Sequence, residues 1–161
     1  WIRNYGIGSD DIGQAIVQTR DGGYMVQFLV EGYGHGNSAT GLMKLNSAGD
    51  VLWTNAFGGT VNTMSKMFSK INSNEYISVC SQIDYSSSTS NTWMIKIDDE
   101  GEIIWERIFG KLGKDDGFSA IPTFDGGFIF TGRSNSSVND DENLFDLWLL
   151  KTDPSGYSKV N

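Results

Sequence analysis

The sequence has few of the residues that build disulfides and histidine-based active sites. Among its 161 residues there are one cysteine, Cys80, and one histidine, His35. A single cysteine cannot form an internal disulfide, and its position in the apolar run 76–80 predicts a small buried residue. A catalytic cysteine would need a histidine partner. Because His35 lies in a glycine-rich loop without a neighbouring carboxylate, we expect no cysteine–histidine catalytic pair.

The sequence also lacks a long apolar run and an excess of positive charge. There is no stretch of about 18 apolar residues, so no membrane-spanning helix is predicted. The formal net charge is −8. An acidic chain repels phosphate groups, which makes nucleic acids and anionic lipid surfaces poor partners. No signal peptide is recognisable, and because the chain begins inside a repeated unit we expect that it is a trimmed fragment.

The sequence does contain a repeated motif. Residues 105–110, Trp-Glu-Arg-Ile-Phe-Gly, are echoed by Trp-Thr-Asn-Ala-Phe-Gly at 53–58 and by Trp-Ile-Arg-Asn-Tyr-Gly at 1–6. The tryptophans Trp1, Trp53 and Trp105 thus recur every 52 residues. A fixed period of about 50 residues is typical of repeat architectures. We predict a single domain, residues 1–161, made of the units 1–52, 53–104 and 105–161.

Each unit is predicted to contain four β-strands. In the third unit these are residues 103–109, 118–123, 128–131 and 146–152, separated by Gly-rich or Asp-Gly turns and one long loop, 132–145. The segments are rich in aromatic and β-branched residues, which favour strands. Asp-Gly-Gly at 125–127 and Asp-Pro-Ser-Gly at 153–156 supply residues that tight turns require. No segment has helical periodicity.

Four-stranded antiparallel units that bury both faces against their neighbours are typical of a β-propeller. We therefore predict an all-β, propeller-like array of three four-stranded blades, with a β-solenoid as the alternative. Closed propellers have about 4–8 blades, so three should not close alone. Four segments occupy the tryptophan-strand position: 1–6, 51–57, 103–109 and 157–161. We expect residues 1–6 to complete a blade from upstream sequence, from a second chain or from the third unit, and the fragment to self-associate.

The units resemble a propeller repeat of large secreted or cell-surface proteins of bacteria and archaea. The first unit carries the pattern at Trp1, Tyr5-Gly6, Asp11, Thr19 to Tyr24, Lys44 to Asn46 and Gly49, and the third at Trp105, Phe109-Gly110, Asp115, Thr123 to Phe128, Lys151 to Asp153 and Gly156. The second unit has Thr63 in place of the aspartate and lacks Asp-Gly-Gly. The resemblance implies an extracellular or cell-surface propeller and brings no catalytic residues with it.

Three lysines, Lys44, Lys96 and Lys151, recur within apolar strands. A buried ammonium group needs a partner of opposite charge. Because Asp11 and Asp115 recur in the first and third units, we predict Lys–Asp pairs within or between blades. We interpret these residues and the three tryptophans as structural.

The most acidic stretch is the loop 139–143 together with Asp146, with carboxylates at Asp140, Asp141, Glu142 and Asp146. Clustered oxygen ligands suit Ca²⁺, although the spacing is not that of an EF-hand loop. A solvated acidic loop is the first interpretation and a Ca²⁺ site the alternative. No other cofactor is expected.

The long loops carry the candidate binding residues Tyr33, His35 and Tyr85, set among small polar residues. Exposed tyrosines in such surroundings suit contacts with glycans or peptides, while a loop-packing role is the alternative. Asn135 opens an Asn-Ser-Ser glycosylation sequon. Strand alternation predicts that the long loops share one rim with the loops that hold Asp11 and Asp115.

Two functions follow from these observations. The first is a non-enzymatic extracellular or cell-surface module that recognises protein or glycan through the long-loop rim, or builds an assembly. The alternative is a part of a propeller-type glycoside hydrolase or lyase. A glycosidase requires two carboxylates about 5–10 Å apart around a sugar site.

Overall fold

The computed structural model describes residues 1–32, 38–58, 61–135 and 144–158. These residues form eleven antiparallel β-strands in three sheets and no helix. The strands are β1 (Asp11–Gln18), β2 (Tyr24–Glu31), β3 (Ser38–Leu45), β4 (Val51–Phe57), β5 (Asn62–Lys70), β6 (Glu75–Asp84), β7 (Thr89–Asp98), β8 (Ile103–Phe109), β9 (Asp115–Pro122), β10 (Phe128–Ser134) and β11 (Asp146–Lys151). The predicted all-β class is confirmed.

Every sheet is formed by strands that are consecutive in the chain. The first sheet has the order β1-β2-β3-β4, the second β5-β6-β7-β8 and the third β9-β10-β11. The third sheet has three strands in the described part of the chain. The fourth strand predicted for this unit, residues 103–109, is β8, and it pairs with β7 in the second sheet. Beyond β11, Ser158 makes an isolated bridge to Thr152. The three sheets do not close on themselves, so neither a propeller nor a solenoid is shown.

The turns form where the sequence predicts them. The connections after β3, β7 and β11 end in glycines with left-handed φ angles of 83°, 86° and 83°, at Gly49, Gly101 and Gly156. Each of these glycines donates its N–H to the carbonyl oxygen of the Asn or Asp three residues earlier. Side chains other than glycine rarely adopt this conformation. The Asx-x-x-Gly spacing is therefore a geometric requirement of the turn.

The start of β9 differs from the prediction. Strand pairing with β10 continues past Phe118 to Asp115 through a β-bulge, three residues before the predicted start. The first two sheets have a bulge in the corresponding strand, between Gly13 and Ala15 and between Ser65 and Met67. A bulge adds an extra residue without ending the ladder. The Gly-Asp composition of residues 110–117 therefore predicted a longer loop than the structure has.

The sheets are stacked face to face. We call the face that packs on the next sheet the front face and the opposite one the back face. In the first sheet the front face carries Met25 and Leu42, which pack against Phe68, Tyr76 and Ile95 on the back face of the second sheet. The front face of the second sheet carries Ile77, Val79 and Met94, which pack against Ala120, Phe128 and Phe130 of the third. Alternate side chains of each strand thus serve two different cores.

On each back face, one equivalent pair between the second and third strands of the unit combines an aromatic ring with a small residue. The directly paired residues are Phe28 and Gly41, Cys80 and Trp93, and Gly132 and Trp148. A Cβ atom added to Gly41 would lie 2.5 Å from Cζ of Phe28, which is closer than atoms can pack. Each of these residue pairs therefore has room for only one aromatic ring.

Candidate functional site

Loops from the second and third sheets meet at one edge of the stack. The N–H of Ser90 donates to the carbonyl oxygen of Gly113 at 3.0 Å. The N–H of Asn135 donates to the carbonyl oxygen of Lys114 at 3.1 Å, and Lys114 N–H donates to Oδ1 of Asn135. The β6–β7 turn, the β8–β9 connection and the end of β10 therefore share one edge, as strand alternation predicted. We call this edge the loop rim.

The β6–β7 turn presents a tyrosine on the loop rim. Asp84 Oδ1 accepts hydrogen bonds from the Ser86 hydroxyl at 2.6 Å and the Ser86 N–H at 2.8 Å. The hydroxyls of Ser86 and Ser87, followed by the Ser86 N–H, lower the pKa of Asp84 to about 2, so its carboxylate holds the turn at neutral pH. Tyr85 lies on this turn and is 66% exposed.

The other predicted ligand-binding residues, Tyr33 and His35, lie outside the described residues, as do the candidate calcium ligands Asp140, Asp141 and Glu142. Asp146, the fourth candidate ligand, is exposed at the start of β11. Among the described residues no group of three or more His, Cys, Asp and Glu side chains is arranged to hold a metal ion. The calcium site stays a prediction.

Asp11 and Asp115 close the loops that precede their strands. Asp11 Oδ2 accepts the N–H groups of Ile7 and Gly8 at 3.0 and 3.1 Å. Asp115 Oδ2 accepts the N–H of Lys111 at 2.9 Å, and its Oδ1 accepts the hydroxyl of Ser134. The predicted pairing of these aspartates with the repeated lysines is wrong.

The lysines pair instead with carboxylates at the opposite edge. Lys44 lies 3.3 Å from Asp21 Oδ2, Lys96 2.9 Å from Glu75 Oε1 and Lys151 2.7 Å from Asp125 Oδ2. Each carboxylate lies in or next to the turn between the first two strands of its own sheet. The reason is position along the strand, since the lysines lie at the turn end of their strands and Asp11 and Asp115 at the rim end.

Lys44 also joins two sheets. Its Nζ lies 3.1 Å from Oδ1 of Asp99, in the turn after β7, and Asp99 accepts the hydroxyl of Tyr76 at 2.7 Å. Burial, followed by this hydrogen bond, raises the pKa of Tyr76. The hydroxyl of Thr19 and the N–H of Gly23, with a smaller contribution from Lys44, lower the pKa of Asp21 to about 2. The Lys44 side chain is only 4% exposed, whereas its partners Asp21 and Asp99 are 52% and 26% exposed, so a nearly buried ammonium group meets carboxylates that reach solvent.

The sequence did not reveal a buried carboxylate at Asp116. Arg133 binds Asp116 Oδ2 through Nε and Nη2 at 3.1 and 3.0 Å, and the Ser81 hydroxyl donates to Asp116 Oδ1 at 3.0 Å. The guanidinium carbon of Arg133 also lies 4.2 Å from the ring centroid of Phe145. The composition of residues 110–117 predicts only a Gly/Asp loop, and the pairing of Asp116 with Arg133 depends on the register of β9 with β10.

A cleft of about 490 Å³ lies between β8 and β11. Its lining includes Phe109 and Trp148 as well as the carboxylates of Asp115 and Asp146. In the first two sheets the corresponding side of the third strand is occupied by β4 and β8. The cleft is therefore the position that a fourth strand of the third sheet would take.

Cys80 and Asn135 have defined surroundings. Cys80 is completely buried, as its apolar neighbours predicted, and it is hydrogen-bonded to Ser78 and Thr40. Burial raises the pKa of its thiol, so Cys80 is protonated at neutral pH. Asn135 is half-buried, and its sequon continues into residues outside the described part, so glycosylation stays a prediction.

No protein-family model matches the chain, and no curated protein has significant sequence similarity to it. The described residues contain no helix with the length and apolar character needed to cross a membrane.

Proposed function

We propose that the chain is a non-enzymatic module of an extracellular or cell-surface protein that binds protein or glycan through the loop rim. The observation that supports this proposal most directly is Tyr85, a largely exposed aromatic side chain on a turn fixed by the Asp84 carboxylate. A tyrosine has only two side-chain torsions, so ordering it on binding costs little entropy. Its ring and hydroxyl can contact both apolar and polar parts of a ligand.

The surroundings of Tyr85 fit the same proposal. Ser86, Ser87 and Thr89 place hydroxyl groups beside the ring, and the Ser87 and Thr89 hydroxyls are hydrogen-bonded to each other at 2.7 Å. Such groups can donate and accept hydrogen bonds with sugar hydroxyls or a peptide backbone. The stacked antiparallel sheets and the resemblance to secreted propeller repeats support a propeller-like scaffold in an extracellular setting.

The binding proposal is tested at Tyr85. Glycan arrays and surface-protein fractions are probed with the chain and with Tyr85→Ala, and Tyr157→Ala serves as a control because Tyr157 is 60% exposed next to the turn after β11. We expect Tyr85→Ala to weaken binding more than about tenfold and Tyr157→Ala to leave it unchanged. A ligand that both variants bind equally well would contradict the role of the loop rim.

The cleft between β8 and β11 favours one alternative, a glycoside hydrolase or lyase. It combines two carboxylates, Asp115 and Asp146, with the indole ring of Trp148. Against a catalytic role, Asp115 accepts backbone N–H from the loop before β9 in the same way that Asp11 does before β1. Because the same arrangement occurs in two loops, the closure of these loops is sufficient to explain it. Polysaccharide cleavage that Asp146→Asn abolishes, in a variant with unchanged melting temperature, would favour the enzyme instead.

A further inference from the structure

The front face of the third sheet is exposed although its positions are buried in the other two sheets. Leu42 in the first sheet and Met94 in the second are 0% exposed, whereas Leu149, which has the same pairing position, is 60% exposed. Leu147 and Ile121 on this face are 77% and 60% exposed. Neighbouring exposed apolar side chains of this kind mark interaction surfaces.

The back face of the first sheet is incompletely covered. Ile16 on this face is 61% exposed, whereas Phe68 and Ala120, at the same position in the second and third sheets, are buried against the preceding sheet. A recess of about 120 Å³ lies on the same face and is lined in part by Val26, Phe28 and Met43. In the second and third sheets the corresponding face receives side chains from a front face.

Residues 1–6 lie on this back face where an outer strand would lie. The ring of Trp1 meets Tyr24 edge-on at 6.2 Å and 71°, and Trp105 on β8 meets Phe128 at 5.6 Å and 71°. Trp1 also lies against Gly49, as Trp53 on β4 lies against Gly101 and Trp105 against Gly156. Unlike β4 and β8, residues 1–6 are not part of a strand ladder in the described structure.

We propose that the front face of the third sheet binds the back face of the first sheet of a second copy of this chain. A front face packs on a back face twice within the chain, and the two exposed faces are the remaining halves of an interface of the same kind. Leu149 would contact Ile16 of the second copy, as Leu42 and Phe68 share one core and Met94 and Ala120 share the other.

The same docking accounts for the cleft beside β11. A second copy seated on the third sheet brings its own residues 1–6 to the outer side of β11, where they would continue the pairing that Ser158 begins at Thr152 and complete a fourth strand. The interface is head-to-tail, so two copies can close a ring with two equal contacts, or further copies can extend it. Two copies would contribute six sheets, within the range of about 4–8 for closed radial arrays.

The experiment compares three substitutions by sedimentation velocity over a range of concentrations. Leu149→Asp places a charge on the front face, Ile16→Asp places one on the back face, and Phe124→Asp is the control, because Phe124 is exposed in the turn between β9 and β10. We expect the unmodified chain and Phe124→Asp to associate and the other two variants to be monomers. An unpaired charge in an apolar interface should weaken association by well over about tenfold.

Mixing the two variants gives the decisive result. Leu149→Asp retains an intact back face and Ile16→Asp an intact front face, so an equimolar mixture should form a one-to-one complex that neither variant forms alone. Association of Ile16→Asp with itself would reveal front-to-front contacts and overturn the proposal. A monomeric unmodified chain at high micromolar concentration would overturn it as well.

A cross-linking experiment keeps the proposal testable if the charged variants fold poorly. Leu149→Cys and Ile16→Cys are mixed and treated with a short thiol-specific cross-linker, to which the buried Cys80 does not contribute. We expect covalent dimers in the mixture and none in either variant alone. Dimers formed by Leu149→Cys alone, or a mixture without cross-links, would contradict the head-to-tail arrangement.

Discussion

The two interfaces between sheets share their geometry but differ in chemistry. Between the first and second sheets, polar groups meet in the buried layer: Ser78 donates to Gln27, and the hydroxyl of Thr40 contacts those of Thr63 and Ser65. Between the second and third sheets, Phe130 lies 5.3 Å from Phe109 and 4.9 Å from Trp148, measured between ring centroids. Both interfaces thus contain an apolar cluster, and the first adds this network of hydroxyl and amide groups to it. We call the first the polar interface and the second the aromatic interface.

This difference predicts which changes should destabilise each interface. An aromatic core depends on filled volume, because its contacts are lost when side chains are shortened. A polar core depends on the pairing of each donor and acceptor, since an unpaired buried group keeps its full desolvation cost. The aromatic interface should respond most to truncation, and the polar one to charge removal and pH.

The largest effect is expected from Phe130→Ala. Phe130 is 1% exposed, and removal of its ring leaves a cavity next to Phe109 and Trp148. We expect a loss of about 3–5 kcal/mol in the free energy of unfolding, measured by denaturant titration. Phe124→Ala is the control and should lose less than about 0.5 kcal/mol, because Phe124 is fully exposed. A small loss for Phe130→Ala would show that the aromatic interface does not hold the third sheet.

A smaller effect is expected from Lys44→Met. This change leaves Asp99 without its ammonium partner in the contact between the first two sheets. Because Asp21 and Asp99 keep access to water, with 52% and 26% of their side chains exposed, the loss should be about 1–3 kcal/mol, below that for a fully buried pair. The matched control, Lys151→Met, removes an exposed pair within one sheet and should cost less than about 1 kcal/mol.

The reactivity of Cys80 reports on the same interface. Its thiol is buried between the first and second sheets, so a thiol reagent should reach it only when these sheets separate or the chain unfolds. We expect Lys44→Met to accelerate labelling of Cys80 more than Lys151→Met does. Equal labelling rates in the two variants would show that Lys44 does not hold the sheets together.

The smallest expected effect is a loss of stability at acidic pH. The pKa of Asp21 is lowered in the folded state from 3.8 to about 2. A lowered pKa means that the carboxylate contributes stability above its unfolded pKa, and that this contribution is lost as the pH falls from about 4 to about 2. Thr19→Val removes the main cause of the shift, so NMR titration should show a higher Asp21 pKa in this variant. An unchanged titration curve would contradict the assignment.

The strand pattern was predictable because its signals are local. Alternation, turn glycines and Asx residues depend on neighbours within a few positions, and β8 has the predicted bounds. The pairings within the candidate site depend instead on register. Lys44 lies directly opposite Met25, near the turn that holds Asp21, and Arg133 lies directly opposite its partner Asp116. The composition around Tyr85 predicts an exposed loop, whereas the Asp84 contacts that fix the turn depend on the folded geometry of the chain.

The pairing of one ring with one small residue between the second and third strands has a consequence for sequence comparison. The ring belongs to the second strand in the first sheet, at Phe28, and to the third strand in the other two, at Trp93 and Trp148. A position-by-position alignment would score phenylalanine against cysteine and glycine, and glycine against tryptophan, as mismatches. The property that the three sheets share at this position is the combined volume of the two paired side chains. Methods that compare paired positions jointly should therefore detect likeness among such sheets that single-position scoring misses.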